Sequence, residues 1–72
     1  MIEVCLFATF RENREKKYQF DDKEKFVYEY VDALNIDRGD VAIILINGFH
    51  QTLDSLVKDG DILSLFPATG GG

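Results

Sequence analysis

Ile62-Leu63-Ser64-Leu65-Phe66-Pro67, followed by Ala68-Thr69-Gly70-Gly71-Gly72, closes a sequence of 72 residues. Its first part alternates as a strand does: Leu63 and Leu65 share one face, and Ile62, Ser64 and Phe66 share the other. Pro67 removes a backbone donor and stops the strand. The residues after it have neither periodicity nor bulk. At the other end, residues 2–9 read as a second strand. Ile2, Val4, Leu6 and Ala8 lie on one of its faces; Glu3, Cys5, Phe7 and Thr9 lie on the other. If these two terminal strands pair in parallel, both lie beneath whatever covers the sheet, and that pairing decides the fold.

The cover is the stretch between them. After a polar loop, Lys17 to Phe20 is a short strand with Tyr18 and Phe20 on one face. Asp21 and Glu24 then have the spacing of a capping box. Phe26, Val27, Tyr30, Val31 and Leu34 form an apolar stripe, so the spacing predicts an amphipathic helix ending near Asn35. Lys25 and Glu29 lie off the stripe, one turn apart, and are expected to pair. Arg38-Gly39-Asp40 is a turn. Val41 to Ile46 is a nearly continuous β-branched run and predicts a buried strand. Asn47-Gly48 signals a hairpin turn, with a short return strand from Phe49 to Gln51. Leu53, Leu56 and Val57 are read as a short irregular or single-turn segment, and Asp59-Gly60 as another turn. The order gives an α+β class. The expected architecture is a β-grasp, ubiquitin-like domain over residues 1–67. In it a mixed sheet of four to five strands grips one helix, and a flexible glycine tail spans residues 68–72.

The formal charge is −5, from 8 basic and 13 acidic residues. That argues against nucleic acid, whose phosphates need an excess of Lys and Arg, and favours a partner with a basic surface. Arg11-Glu12-Asn13-Arg14-Glu15-Lys16-Lys17 is the one basic segment. It reads first as a solvated loop and second as a minor contact site. There is no run of about 18 apolar residues to span a membrane and no signal-peptide pattern at the start. The single cysteine fits a reducing, cytoplasmic compartment. His50 has no ligand-spaced partner, and Cys5, mid-strand and without a basic neighbour, is read as packed and inert. No phosphate-binding loop is present. No catalytic residue, metal ligand or bound cofactor is expected of this chain.

The tail is the exception. Glycines order at an entropic cost and pack against nothing, but without Cβ atoms they thread channels that side chains would block. From Ala68 to Gly72 the reach is about 17 Å at ~3.4 Å per residue. Leu65-Phe66-Pro67 before a Gly-Gly end is one of four matching stretches. The others are Phe7-Ala8-Thr9-Phe10-Arg11-Glu12, Ile46-Asn47-Gly48 and Leu56-Val57-Lys58-Asp59-Gly60-Asp61. In this order and spacing the chain resembles, over its whole length, the small subunit of molybdopterin synthase and its relatives, including the thiamine-pathway sulfur carrier (the MoaD/ThiS type).

The resemblance implies a sulfur carrier rather than an enzyme. A ubiquitin-activating-type enzyme would adenylate the Gly72 carboxylate, using its own ATP and magnesium. A persulfide from a sulfurtransferase or cysteine desulfurase would turn it into a thiocarboxylate. Gly70, Gly71 and Gly72 would then thread the active site of the molybdopterin synthase large subunit or of a thiazole synthase. Phe7, Phe66 and Pro67 are the expected partner interface, with Phe7 and Phe66 as an exposed pair on the open sheet face. A ubiquitin-like modifier joined through Gly72 to lysines is the other class of function in view. Two features depart from the molybdopterin branch: Pro67 is followed by Ala68 rather than a second proline, and the end carries three glycines.

Overall fold

A computed structural model describes residues 1–68. The strands are β1 (Ile2–Leu6), β2 (Lys17–Phe20), β3 (Glu24–Phe26), β4 (Val41–Ile46), β5 (Phe49–His50), β6 (Leu56–Lys58) and β7 (Ile62–Pro67); the helix α1 is Val27–Ala33. Five strands form one mixed sheet in the order β2-β1-β7-β4-β5, and β3 and β6 form a separate pair. The two terminal strands pair in parallel at the centre, Val4 with Leu63 and Leu6 with Leu65. All other pairings are antiparallel. With α1 on one face, this is the expected α+β β-grasp.

Cross-strand registers line the core in rows. Tyr18, Val4, Leu63 and Ile46 follow one another across the sheet, and so do Leu6, Leu65 and Ile44. Val27, Tyr30 and Val31 of α1 pack onto these rows, and Ile2, Val4, Leu6, Val27, Val31, Val57, Leu63 and Leu65 are fully buried. Each such side chain contributes roughly 1.5–3 kcal/mol relative to exposure. A domain this small has few of them to lose.

The helix starts later than Asp21 and Glu24 suggest. Glu24–Phe26 is instead a strand, pairing Lys25 with Val57 and Phe26 with Leu56. That pairing continues into the first helical turn, where the Val27 and Tyr28 amides donate to the Ser55 and Leu53 carbonyls. Two amides that a helix start leaves without partners are thereby satisfied. Glu29 accepts from the Phe26 amide at 3.0 Å, so it does not pair with Lys25, whose ammonium lies 3.8 Å from Asp22. The same strand corrects the reading of Leu56 and Val57 as irregular.

The helix end is built from sequence-local rules. Asn35 adopts φ +58, the Asn35 amide donates to Asp32 and the Ile36 amide to Val31. This is a Schellman closure, with Ile36 buried behind it. Arg14 then reaches over, donating from Nε to the Leu34 carbonyl and from Nη2 to the Asn35 carbonyl, each at 3.0 Å. The loop after β1 is thus tied to the helix C-terminus, where a cation is also favoured by the helix dipole.

Two further expectations are corrected. The first strand stops at Leu6, because Ala8–Arg11 forms a 3-10 turn and Ala8 sits at φ +52, exposed rather than in line with Leu6. Val41–Ile46 is not buried throughout: Ile44 and Ile46 face the core, whereas Ile43 lies across from Phe66 on the face away from α1 and Ala42 falls at a bulge, and both are exposed.

At the hairpin, Asn47 (φ +52) and Gly48 (φ +86) give the type I′ geometry that matches strand twist. Asn47 also clamps the start of β7: its Oδ1 accepts from the Ile62 amide and its Nδ2 donates to Asp61, both at 2.9 Å. Asn47→Gly keeps the turn and loses the clamp, and should cost about 1 kcal/mol. Asn47→Ala adds left-handed strain and should cost about 2–3 kcal/mol. Urea denaturation of both variants checks this; equal losses would mean that the turn conformation contributes nothing.

Candidate functional site

Beyond the last parallel pair, Leu6 with Leu65, β1 and β7 present the next residue of each to the open face. These are Phe7 and Phe66. Phe7 is still extended (φ −129, ψ 157). Ala8, in the left-handed region, then turns the chain off the sheet, at a backbone cost on the order of 1–2 kcal/mol. The two rings stack at 4.3 Å between centroids with an interplanar angle of 9°. Each is half-buried, rather than exposed as expected. The two rings lie side by side on the open face, and Leu63 and Leu65 point to the core as the alternation required.

The open face continues from this pair. Ile43 lies directly across from Phe66 and is 42% exposed; Ile62, two positions before Ser64 on β7, is 45% exposed. Pro67 pairs with Val41, and the Ala68 amide donates to the Asp40 carbonyl at 2.8 Å. The polypeptide thus leaves the sheet beside an apolar surface made of Phe7, Phe66 and Ile43. Phe49, a candidate to cover the rings, is instead 73% exposed and pairs with Ile46 at the sheet's far edge. Gly70, Gly71 and Gly72, and the expected flexibility of the tail, lie outside the described residues.

The 3-10 turn returns Arg11 to the ring pair. Its Nε donates to the Leu6 carbonyl at 2.7 Å, and its guanidinium carbon stands 5.1 Å from the Phe7 centroid. In the sequence Arg11 is legible only within the basic segment 11–17, first as a solvated loop and second as a minor contact site, and Ile43 only as part of a buried strand. The signal for Arg11 is the four-residue spacing from Phe7, which carries meaning only once the segment is helical rather than extended.

Cys5 lies on the same open face, opposite Lys17 on β2 and Ser64 on β7. Burial pushes its thiol pKa up, and a 3.5 Å hydrogen bond to Glu3 pushes it further; Lys17 and Arg11 pull weakly the other way. The thiol is therefore held protonated and is a poor nucleophile. A second cleft, lined by Thr9, Asn13, Arg14, Tyr18, Leu34 and Asn35, sits at the end of α1. Its arginine is already committed to helix carbonyls. Among the described residues no group of three or more His, Cys, Asp or Glu side chains is placed to hold a metal ion, and no helix is long and apolar enough to cross a membrane.

Among the described residues the open face beside the end of β7 is an apolar surface with no assembled nucleophile or acid–base pair. A search of individually curated proteins found no match. The model of the ThiS family matches residues 4–72, nearly the whole chain. Proteins of this family are small, generally non-catalytic sulfur carriers that work with adenylating enzymes and synthases. By that match, and by its mixed five-stranded sheet with one helix, this chain belongs to the ThiS family of β-grasp sulfur carriers.

Proposed function

We propose that this protein carries sulfur on Gly72 for molybdopterin synthesis, the route to the molybdenum or tungsten cofactor. The observation that carries the carrier role is the family match through residue 72; the pathway rests on the resemblance of Leu65-Phe66-Pro67 and of Phe7 to Glu12 to the synthase small subunit. The Phe7–Phe66 pair where β7 ends supports it.

The chemistry follows from the state of a carboxylate, whose negative charge resists attack. In the adenylating partner, a Gly72 oxygen attacks the α-phosphorus of ATP and pyrophosphate leaves. A persulfide sulfur then attacks the acyl carbon and AMP leaves. Cleavage of the resulting acyl disulfide by a thiol releases the thiocarboxylate. ATP and magnesium belong to that partner. This chain's residues bind and position: Phe7, Phe66 and Pro67 dock, while Gly70 and Gly71 carry the reactive end into the partner and later into the synthase large subunit, where a pterin precursor accepts the sulfur. A thiamine-type carrier is the second reading, favoured by Pro67-Ala68 in place of two prolines and by three consecutive glycines.

The defining test is chemical. Incubated with the adenylating enzyme, ATP and a persulfide donor, the chain should gain the mass of one oxygen replaced by one sulfur, and fragmentation should place it at Gly72. Sulfur on Cys5 would overturn the site, and an isopeptide bond to a lysine would replace the carrier by a protein modifier. Supplying the thiocarboxylate form to a pterin or a thiazole acceptor enzyme separates the two pathways.

Phe66→Ala should weaken binding to the adenylating enzyme by about 1–3 kcal/mol, as aromatic anchors do. Loss of the stack should cost folding only about 1 kcal/mol. Calorimetric titration and thermal melting together check this. Unchanged affinity with a large fall in Tm would make the pair structural.

A further inference from the structure

We propose that the open face is edged, beside the Phe7–Phe66 pair, by a cationic clamp whose specific contact is Arg11, and that it fits a partner presenting a carboxylate next to an apolar socket. The proposal rests on the sulfur-carrier reading and names the chemistry of the partner surface.

The argument begins with a charge contrast. The chain carries −5, yet four of its eight cations fall within residues 11–17. The fold gathers them: Arg11, Arg14, Lys16 and Lys17 line one shallow cleft with Glu15. The Leu6 amide donates to the Lys16 carbonyl, and Lys17 stands opposite Cys5 on the open face. The positive segment is therefore attached to the end of β1 that leads into Phe7.

The three arginines are used differently. Arg14 donates to the Leu34, Asn35 and Phe10 carbonyls. Arg38 is engaged bidentately by Asp32. Arg11 spends only Nε, on the Leu6 carbonyl, and rests over the Phe7 ring. Its Nη1 and Nη2 have no hydrogen-bond or ion-pair partner among the described residues. The side chain is thus already ordered, while its outer donors remain available for planar, two-point recognition of a carboxylate. A contact of this kind loses little rotamer entropy on binding. It lies beside the aromatic pair, where a docked surface would exclude water and strengthen it. The net negative charge favours approach of a basic partner; the contact edge requires that partner to carry local acidity.

Binding is measured with the adenylating enzyme of the same cell, the wild-type chain first being shown to be adenylated and converted to the thiocarboxylate. Arg11→Ala should raise Kd about tenfold to a hundredfold, the range for hydrogen bonds to charged groups. Arg11→Lys, which keeps the charge without the fork, should fall between. The doubly substituted Lys16→Glu, Lys17→Glu chain should bind more weakly and lose most of the wild type's salt dependence. Lys25→Ala, on β3, should change nothing. Far-ultraviolet circular dichroism and melting verify that each variant is folded, and Lys16 and Lys17 test the edge without touching the Arg11–Leu6 bond. If the wild type is activated but all the 11–17 variants bind as it does, the clamp is wrong and the carrier reading stands. If the wild type is neither bound nor activated, both fall.

Discussion

The parallel ladder between β1 and β7 joins the two ends of the described chain through the middle of the sheet. It carries a large loop-closure cost, because nearly the whole described chain is the loop that it closes. Once formed, it brings Val4, Leu6, Leu63 and Leu65 together beneath Val27, Tyr30 and Val31. β2 and β4 flank it on either side and continue its hydrophobic rows in register.

The same ladder makes the open face proposed for docking. Continuing the two strands by one residue beyond Leu6 and Leu65 necessarily sets Phe7 beside Phe66, on the face away from the helix. β7 is also the element from which the glycine tail departs. In the proposed function the anchoring residue, Phe66, precedes the glycines by only a few residues, which would couple docking to reach. The left-handed Ala8 and the 3-10 turn divert the β1 side away from the tail and return Arg11 to the ring pair.

Stability and reactivity are held in separate parts of the molecule. The buried side chains belong to elements between Ile2 and Leu65, and the group proposed to react lies beyond Pro67. A carrier that must offer its end to at least two partners gains from this separation, since threading and release disturb no core contact. The one thiol in the sheet is kept protonated by burial, which limits its competition for activated sulfur.

Much of this was legible in the residues themselves. The alternation of 62–66, the β-branched run 41–46, the Asn47-Gly48 turn and, but for its first residue Phe26, the helical stripe from Phe26 to Leu34 are local patterns, and local sterics and periodicity determine them. The pairing of Phe7 with Phe66 followed from alternation together with the parallel register. The sequence also determined the glycine end and the four-cation segment. What it did not determine was every feature set by contacts distant along the chain. Glu24–Phe26 became a strand because Leu56–Lys58 lay alongside it, overriding a capping signal of the right spacing. Ile43 stayed exposed because it lies on the face of β4 away from α1, which the unbroken β-branched run did not reveal. Arg11 acquired its place over Phe7 because a single left-handed residue ended the first strand early. Backbone hydrogen bonding and helix coverage are satisfied by whichever segments the fold brings together, and only the tertiary structure decides which those are.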